Sequence, residues 1–241
     1  MKTDLIITDD FYQDVDSVRK FALEQPFDVK GNYPGQRTKT FWDWPGLKDS
    51  IQHIVRNAGG EISYYESEYT STFQYTTEND SSWIHPDHTT NWAGVCYLTP
   101  DAPVSGGTGL FRHKETGLTS PPRLEDGSYD SGWLEKHCWP NSRDMSKWDM
   151  TAMVGNVYNR LVLYRGDMFH TSLDYFGKDK HDGRLFQTFF FNTEYQKQNM
   201  KTKAKYLLNI EGKKRYRGNT WLGLILNVLK GNHDRKGSKS N

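Results

Sequence analysis

Four side chains in this sequence have the types and positions that a redox-active metal site requires. His85 and Asp87 lie two residues apart, His170 follows the apolar run 161–164 and a short turn, and Arg184 begins a second apolar run. Two imidazoles and one carboxylate can hold one face of an Fe(II) octahedron and leave the other positions open for substrate and dioxygen. The pattern therefore predicts oxidation chemistry.

The His85-Pro86-Asp87 tripeptide supplies two ligands on one side of the chain. Residues two apart in an extended segment project from the same face. Pro86 also restricts the residue before it to extended conformations. A third ligand must come from elsewhere, and His170 is the natural candidate. A single histidine is more often an ordinary side chain than a ligand, because metal binding requires several groups to converge.

Arg184 is the candidate anchor for an anionic co-substrate. A guanidinium makes a planar, bidentate match to a carboxylate, which a lysine cannot reproduce. An unpaired charge at the start of the apolar run 185–191 is costly, so Arg184 requires an anion. Thr188 shares the face of Arg184 in a strand and is a candidate polar neighbour of the same ligand. The alternative is a rim arginine paired with Asp182 in a weak surface contact.

Composition and charge favour one domain with a distinct carboxy-terminal segment. The 241 residues fit a single β-rich domain with insertions. Residues 1–195 carry 19 lysines and arginines against 28 acidic residues, whereas residues 196–241 carry 12 against two. We therefore expect a domain over 1–195 and a basic extension over 196–241, a pattern that often marks an interaction arm.

Cysteine content and hydropathy indicate a cytoplasmic protein. Two isolated cysteines, Cys96 and Cys138, predict neither a disulfide framework nor a zinc knuckle, so a reducing compartment is the simplest interpretation. The amino-terminal apolar run is too short and too acidic in its flank for a signal peptide. No stretch approaches the roughly 20 apolar residues of a membrane span.

The periodicity of apolar residues predicts two helices followed by a series of strands. A strand is expected over 5–8 and amphipathic helices over 14–24 and 46–58. Further strands, rich in β-branched and aromatic residues, are expected over 71–77, 92–98, 108–113, 160–164 and 185–192. This order favours an α+β, mainly β fold with flanking amino-terminal helices and a closed or nearly closed β core.

Two segments depart from this pattern. Residues 114–157 are dense in Pro, Gly, Ser, Asp and Trp, and we interpret them as a loop insertion that forms either a lid or substrate wall or a packed surface feature without a chemical role. In the basic extension, the apolar run 221–229 favours docking against the domain or a neighbouring subunit. Contact with a membrane surface or nucleic acid is the alternative, because the basic run 213–217 precedes it.

With these residues identified, the chain resembles the Fe(II)/2-oxoglutarate-dependent oxygenases, in particular the prolyl-hydroxylase-like branch and its small phage and bacterial relatives. The resemblance spans roughly residues 5–195. The matching segments are residues 7–12, 85–87, 93–98, 106–111, 159–170 and 183–191.

The resemblance implies a double-stranded β-helix, also called a jelly roll, and a set of site residues. In the family, the HxD pair and a distal histidine bind iron, so His85, Asp87 and His170 would be the metal ligands. Arg184 would bind the 5-carboxylate of 2-oxoglutarate, and Tyr75 resembles a tyrosine that contacts it in related enzymes. Cys96 falls where some relatives have a tyrosine, and the interval from His170 to Arg184 is longer than in many prolyl hydroxylases.

The implied reaction uses Fe(II), 2-oxoglutarate and O2 to hydroxylate a substrate C–H bond. Asp87 favours hydroxylation, because related halogenases lack this carboxylate. The tryptophans Trp83, Trp92, Trp133, Trp139 and Trp148 are candidate walls of the site, although aromatic residues also pack in cores without a chemical role. Two rivals remain open: a metal-stabilised jelly-roll binding module and a zinc-dependent hydrolase. These motifs do not encode the substrate, so protein or peptide, amino acid, small molecule and nucleobase all remain open.

Overall fold

The computed structural model describes residues 3–39, 44–65, 68–87 and 89–194. The described chain is mainly β, with two longer helices, α1 (Val15–Glu24) and α2 (Leu47–Gly59). The strands are β1 (Leu5–Thr8), β2 (Gln36–Arg37), β3 (Glu61–Tyr65), β4 (Phe73–Thr76), β5 (Trp92–Tyr97), β6 (Thr108–His113), β7 (Trp148–Val154), β8 (Leu161–Arg165), β9 (His170–Ser172) and β10 (Arg184–Glu194).

The strands form two antiparallel sheets. Within the described ranges, the larger sheet has seven strands in the order β1-β8-β5-β10-β4-β2, with β3 also paired to β10. The smaller sheet has the order β7-β6-β9. The expected mainly β fold with few helices is therefore confirmed, and the predicted helices and principal strands agree with the structure to within about two residues, the uncertainty usual at element ends.

Both helices cover one face of the larger sheet. Apolar residues recur at helical spacing, so Val18 and Ala22 of α1 and Ile51 and Val55 of α2 are buried together. Asp14 caps α1, its carboxylate accepting the Ser17 N–H at 3.1 Å. The sheet contributes side chains to the same cluster from four strands, β4, β5, β8 and β10: Phe73, Trp92, Cys96, Leu161, Leu163, Leu185, Phe189 and Phe191.

The opposite face of the larger sheet packs against the smaller sheet. A second cluster combines inward residues of β5, β8 and β10 with Leu110 of β6 and Val154 of β7. Its members from the larger sheet are Ala93, Val95, Tyr97, Val162, Tyr164 and Phe186. Because side chains alternate along a strand, β10 places Leu185 toward the helices and Arg184 toward the smaller sheet. This second face therefore carries the polar residues of interest.

Residues 114–157 contain more regular structure than the sequence indicates. The segment includes short helical turns within Ser131–Trp133, Leu134–Cys138, Trp139–Asn141 and Met145–Lys147. It ends in β7, which pairs along β6 with a register shift between Leu110 and Phe111. A third apolar cluster ties the segment to the domain, with Leu134, Cys138 and Trp148 packed against Ile84, Phe111 and Phe169.

The basic extension over 196–241, including the apolar run 221–229, lies outside the described residues. In the part of the chain that the structure covers, the helices are too short or too polar to cross a lipid bilayer.

Candidate metal centre

His85, Asp87 and His170 come together at one point of the structure. Each offers a ligand atom, and these atoms all lie within 4.8 Å of one another. Nε2 of His170 is 3.4 Å from Oδ2 of Asp87, and the two imidazole ring centroids are 4.5 Å apart. Two imidazole nitrogens and a carboxylate oxygen at this separation form a set that a divalent transition metal can bridge.

The main chain holds the two histidines opposite each other. His85 and His170 form an isolated antiparallel bridge in which each N–H donates to the carbonyl of the other at 3.0 Å. The Asp87 N–H donates to the Gly166 carbonyl at 2.6 Å, in the turn that precedes β9. All three ligands are therefore positioned by backbone hydrogen bonds.

The histidine rings are oriented by carbonyls of nearby residues. Nδ1 of His85 is 2.8 Å from the Trp83 carbonyl, and Nδ1 of His170 is 2.8 Å from the Met168 carbonyl. A carbonyl can only accept, so each Nδ1 carries the proton and each Nε2 is left as the ligand atom.

Burial keeps His170 in the neutral form that binds metals. It lowers the pKa of His170 to about 4, an effect that the Asp87 carboxylate opposes and a charged His85 reinforces. The residues present therefore fit a resident Fe(II) ion in both geometry and protonation.

Arg184 is buried at the start of β10 and donates hydrogen bonds to main-chain carbonyls. Its side chain is 2% exposed. Nε donates to the Gly106 carbonyl at 2.9 Å and one Nη to the Gly107 carbonyl at 3.4 Å. Among the described residues no carboxylate forms an ion pair with it. Asp182, the alternative partner, instead accepts the Lys178 and Asp179 N–H groups of its own loop.

Glycine allows the chain to approach closely beside Arg184. A Cβ added to Gly107 would lie 1.9 Å from the Val154 carbonyl oxygen, so a larger residue would displace this part of the smaller sheet. Displacement here would also move the carbonyl that the guanidinium contacts. Gly107 is therefore part of what positions Arg184.

Two inward tyrosines that the sequence analysis missed connect Arg184 with the metal ligands. The guanidinium carbon of Arg184 is 5.2 Å from the Tyr97 ring centroid, and the Tyr97 hydroxyl is 2.8 Å from Oγ1 of Thr108. The Tyr164 ring is 4.5 Å from that of His170. Burial raises the pKa of Tyr164, with further contributions from Asp87 and Tyr97 and an opposing one from Arg184. Tyr164 therefore lies near His170, Asp87, Tyr97 and Arg184.

The structure separates Tyr75 from this group of residues. Tyr75 pairs with Leu185, so it points toward the helices, opposite to Arg184. Its ring packs on Phe27 at 5.1 Å, and its hydroxyl donates to Oε1 of Gln36 at 3.1 Å. Such a placement gives no support to a contact between Tyr75 and a co-substrate.

Thr188 lies on the predicted face but has other partners. Its hydroxyl is bonded to the Tyr69 carbonyl and lies 2.8 Å from Oγ1 of Thr72. The side chain is buried, and these bonds use the hydroxyl that would contact a ligand. Thr188 therefore lies on the same face of β10 as Arg184, but these bonds do not support a contact between its hydroxyl and a co-substrate.

The 114–157 segment supports the residues next to both histidine ligands. Phe169, which precedes His170, stacks on Trp133 at 5.6 Å and meets Trp148 edge to face at 5.0 Å. Ile84, which precedes His85, donates its N–H to the Ser142 carbonyl at 2.8 Å. Trp92, by contrast, is buried on the helix side of the larger sheet and is not a wall of this site.

Fold and site together define a mainly β protein whose two antiparallel sheets carry a His-Asp-His group beside a buried arginine. HygX from Streptomyces hygroscopicus with nickel and 2-oxoglutarate bound matches with a TM-score of 0.53 and 11% identity, covering 80% of this chain and 84% of HygX. HygX with nickel, 2-oxoglutarate and hygromycin B bound gives 0.50 and 11%, with coverage of 80% and 84%. At this identity the likeness to HygX shows a shared fold.

A prolyl hydroxylase from Trichoplax adhaerens, in complex with a hypoxia inducible factor oxygen degradation domain peptide fragment, gives a TM-score of 0.46 at 12% identity, with coverage of 78% of this chain and 83% of that chain. Residues 1–191 match a family described as a family of unknown function (DUF6445), and the chain belongs to this family. No curated protein matches the sequence.

Proposed function

We propose that this protein is a non-haem Fe(II) dioxygenase that couples oxidative decarboxylation of 2-oxoglutarate to hydroxylation of a substrate C–H bond. The observation that carries the proposal is the pairing of a His-Asp-His group with a buried Arg184 that has no acidic partner among the described residues. The fold shared with HygX, whose structure contains nickel and 2-oxoglutarate, supports the same chemistry.

His85, Asp87 and His170 would hold the metal on one face. The Trp83 and Met168 carbonyls hold Nδ1 of each imidazole, so that Nε2 of each ring would be the atom that binds the ion. Three protein ligands leave three octahedral positions open, which is enough for a bidentate co-substrate and dioxygen. When bound, Fe(II) would supply the site at which O2 is reduced, with one oxygen atom entering succinate as CO2 leaves and the other entering the substrate C–H bond.

Arg184 would bind the distal carboxylate of 2-oxoglutarate. Its buried guanidinium is already oriented by the Gly106 and Gly107 carbonyls, so little side-chain freedom is lost on binding. Tyr97 and Tyr164 would line the space between this carboxylate and the metal. The Tyr164 phenol is protonated at neutral pH, and burial raises its pKa further, so it could donate a hydrogen bond to a co-substrate oxygen.

The decisive experiment measures succinate. The protein is purified without oxygen, and Fe(II), 2-oxoglutarate and O2 are then added. We expect succinate to form above the level of a His170→Ala control, and we expect 2-oxoglutarate to bind only when metal is present. Because turnover without a substrate can be slow, direct binding of iron and 2-oxoglutarate is measured in parallel.

The rival functions give different results in the same assay. Zinc-dependent turnover that does not require 2-oxoglutarate would indicate a hydrolase, in which the metal activates a water molecule. Metal binding that raises stability without any affinity for 2-oxoglutarate would indicate a structural or binding module. Either outcome would reject the oxygenase proposal.

A further inference from the structure

A surface groove lies directly beside the metal centre. The groove, which we call the Trp83 groove, has a volume of about 340 Å³ and is lined by Asn32, Trp83, Trp139, Ser142 and Arg143. The Trp83 ring centroid is 5.7 Å from that of His85. Because the Trp83 carbonyl also orients the His85 ring, the groove and the metal centre share a wall residue. A molecule lying in the groove would therefore contact the residue that packs on and orients His85.

The two sides of the Trp83 groove are held together by the main chain. Ile84, next to Trp83, donates its N–H to the carbonyl of Ser142 at 2.8 Å. The Ser142 N–H and hydroxyl both bond to the Trp139 carbonyl, which fixes the turn that carries the second indole. Binding in such a preformed groove requires little ordering of the chain.

Arg143 is the charged residue of the Trp83 groove, and the groups to which it donates hydrogen bonds are uncharged. Its guanidinium lies 5.3 Å from the Trp83 ring centroid. Nη1 approaches the Ser81 hydroxyl at 3.3 Å and the Ser82 carbonyl at 3.5 Å, which are long and uncharged contacts. Within the described ranges no acidic side chain forms an ion pair with it.

Several other surface arginines of this acidic domain do have acidic partners. Arg112 pairs with Asp149 at 2.8 Å, Arg123 with Asp167 at 3.1 Å and Arg160 with Asp9 at 2.6 Å. Arg143 differs from these three, although acidic residues outnumber basic ones in residues 1–195. Arg143 is thus available to bind an anion from solution.

The lining defines the chemistry of a ligand. A guanidinium matches a carboxylate or phosphate, and indole faces accept a flat or CH-rich ring. A volume near the lower end of the about 300–1,000 Å³ typical of ligand pockets suits a small molecule. The positive charge of Arg143 disfavours a cationic ligand.

We propose that the Trp83 groove binds the primary substrate, a small molecule that carries a carboxylate or phosphate next to a ring. This inference rests on the proposed oxygenase function, because it assigns the substrate of that site. Arg143 binds the anionic group, Trp83 and Trp139 contact the ring, and the opposite end of the molecule lies toward His85.

The test uses the full-length protein with Fe(II) and saturating 2-oxoglutarate in the absence of oxygen, so that an anionic probe does not occupy the Arg184 site. Phenyl phosphate, phenylacetate and the uncharged benzyl alcohol are titrated by calorimetry. We expect at least one anion to bind about tenfold more tightly than benzyl alcohol, the gain that one charge-assisted hydrogen bond provides. The stronger of the two anions identifies the phosphate or the carboxylate as the natural group.

Three variants test whether the preference for an anion arises in the Trp83 groove. Arg143→Gln should remove the preference for the anion, whereas Trp139→Ala should weaken all three probes. Arg112→Gln is the matched control, because Arg112 is an exposed arginine of β6 that pairs with Asp149, and it should bind like the parent.

Equal affinities of parent and Arg143→Gln for both anions would overturn the inference, as would a parent that prefers benzyl alcohol or binds neither anion. The titrations are repeated on metal-free protein. If iron and 2-oxoglutarate do not bind, the proposed function fails by itself, while an Arg143-dependent anion affinity in the metal-free protein would still identify the groove as a binding site.

Discussion

Arg184 carries a positive charge into a space where main-chain carbonyls and aromatic rings surround it. Replacing it with Gln should weaken 2-oxoglutarate binding by about 10-fold to 100-fold, because charge-assisted hydrogen bonds contribute roughly 1.5–3 kcal/mol. Iron affinity should not change, since Arg184 is not a metal ligand. Calorimetry with Fe(II) present measures both quantities.

Thr188→Val is the control for this measurement. Thr188 lies on the same face of β10 but already bonds to Tyr69 and Thr72, so the variant should bind 2-oxoglutarate as the parent does. An unchanged affinity in Arg184→Gln would remove Arg184 from the site.

His113 at the end of β6 should make the stability of the metal-free protein depend on pH. Burial lowers its pKa from the ordinary value of 6.5, with His137 and Lys147 acting in the same direction and Glu115 opposing them. As pH falls through 6.5 the unfolded chain takes up a proton before the folded one does, so the free energy of unfolding decreases until the lower folded pKa is reached. Urea unfolding of chelator-treated protein at about pH 7.5 and about pH 5.5 measures the loss.

His113→Gln isolates this contribution, since other groups also titrate over this range. The variant should lose less stability than the parent between the two pH values. An equal loss in both proteins would show that His113 is not the group responsible.

The grouping of His85, Asp87 and His170 could be anticipated from sequence because part of its signal is local. His85 and Asp87 share a face at a spacing of two, and the charge of Arg184 stands out at the start of an apolar run. The inward positions of Tyr97 and Tyr164 could not be found in this way, since both belong to strands that are apolar on two faces and only the sheet register tells which side faces the site. Tyr75 illustrates the same limit, because its orientation follows from pairing with Leu185.

At the scale of elements, the 114–157 segment supports the metal centre through Phe169. Trp133→Ala removes the ring stacked on Phe169, next to His170, and should weaken metal binding about tenfold, at the lower end of the effect of losing a residue that orients a ligand. Titration with Co(II), followed by its visible absorption, measures the affinity and reports a change in ligand geometry. Trp133→Phe should restore most of the affinity.

Trp44→Ala is the matched control for loss of a core indole. Trp44 packs on Phe21 in the helix-side cluster, away from the ligands, so this variant should lower the unfolding midpoint without changing the Co(II) spectrum. Equal loss of metal affinity in both alanine variants would mean that Trp133 acts through general stability.

The elements themselves could be predicted where periodicity is strong. The two helices show a clear apolar stripe, and Asp14 gives a capping signal. Strand β7 could not be predicted, because Met150 and Met153 are exposed and its pattern of burial is irregular. Its pairing with β6, including the shift beyond Leu110, is set by tertiary contacts.

At the scale of the whole molecule, three hydrophobic clusters hold together the described residues between 3 and 194. If the basic extension is a peripheral arm, a protein ending at residue 195 should keep the iron affinity and unfolding midpoint of the full chain. Metal titration and thermal unfolding of both proteins test this expectation. A truncated chain that fails to fold would place the apolar run 221–229 in the core instead.

The bridge between His85 and His170 has a consequence for the synthesis of the protein. These residues are far apart in sequence but are joined by two main-chain hydrogen bonds, so the His-Asp-His group is incomplete before β9 has emerged and docked. A nascent chain that stops short of β9 carries His85 and Asp87 of this group but lacks His170. Under the proposed function, iron would therefore bind after folding, and a metal-loaded molecule would be one in which these two distant segments are already paired.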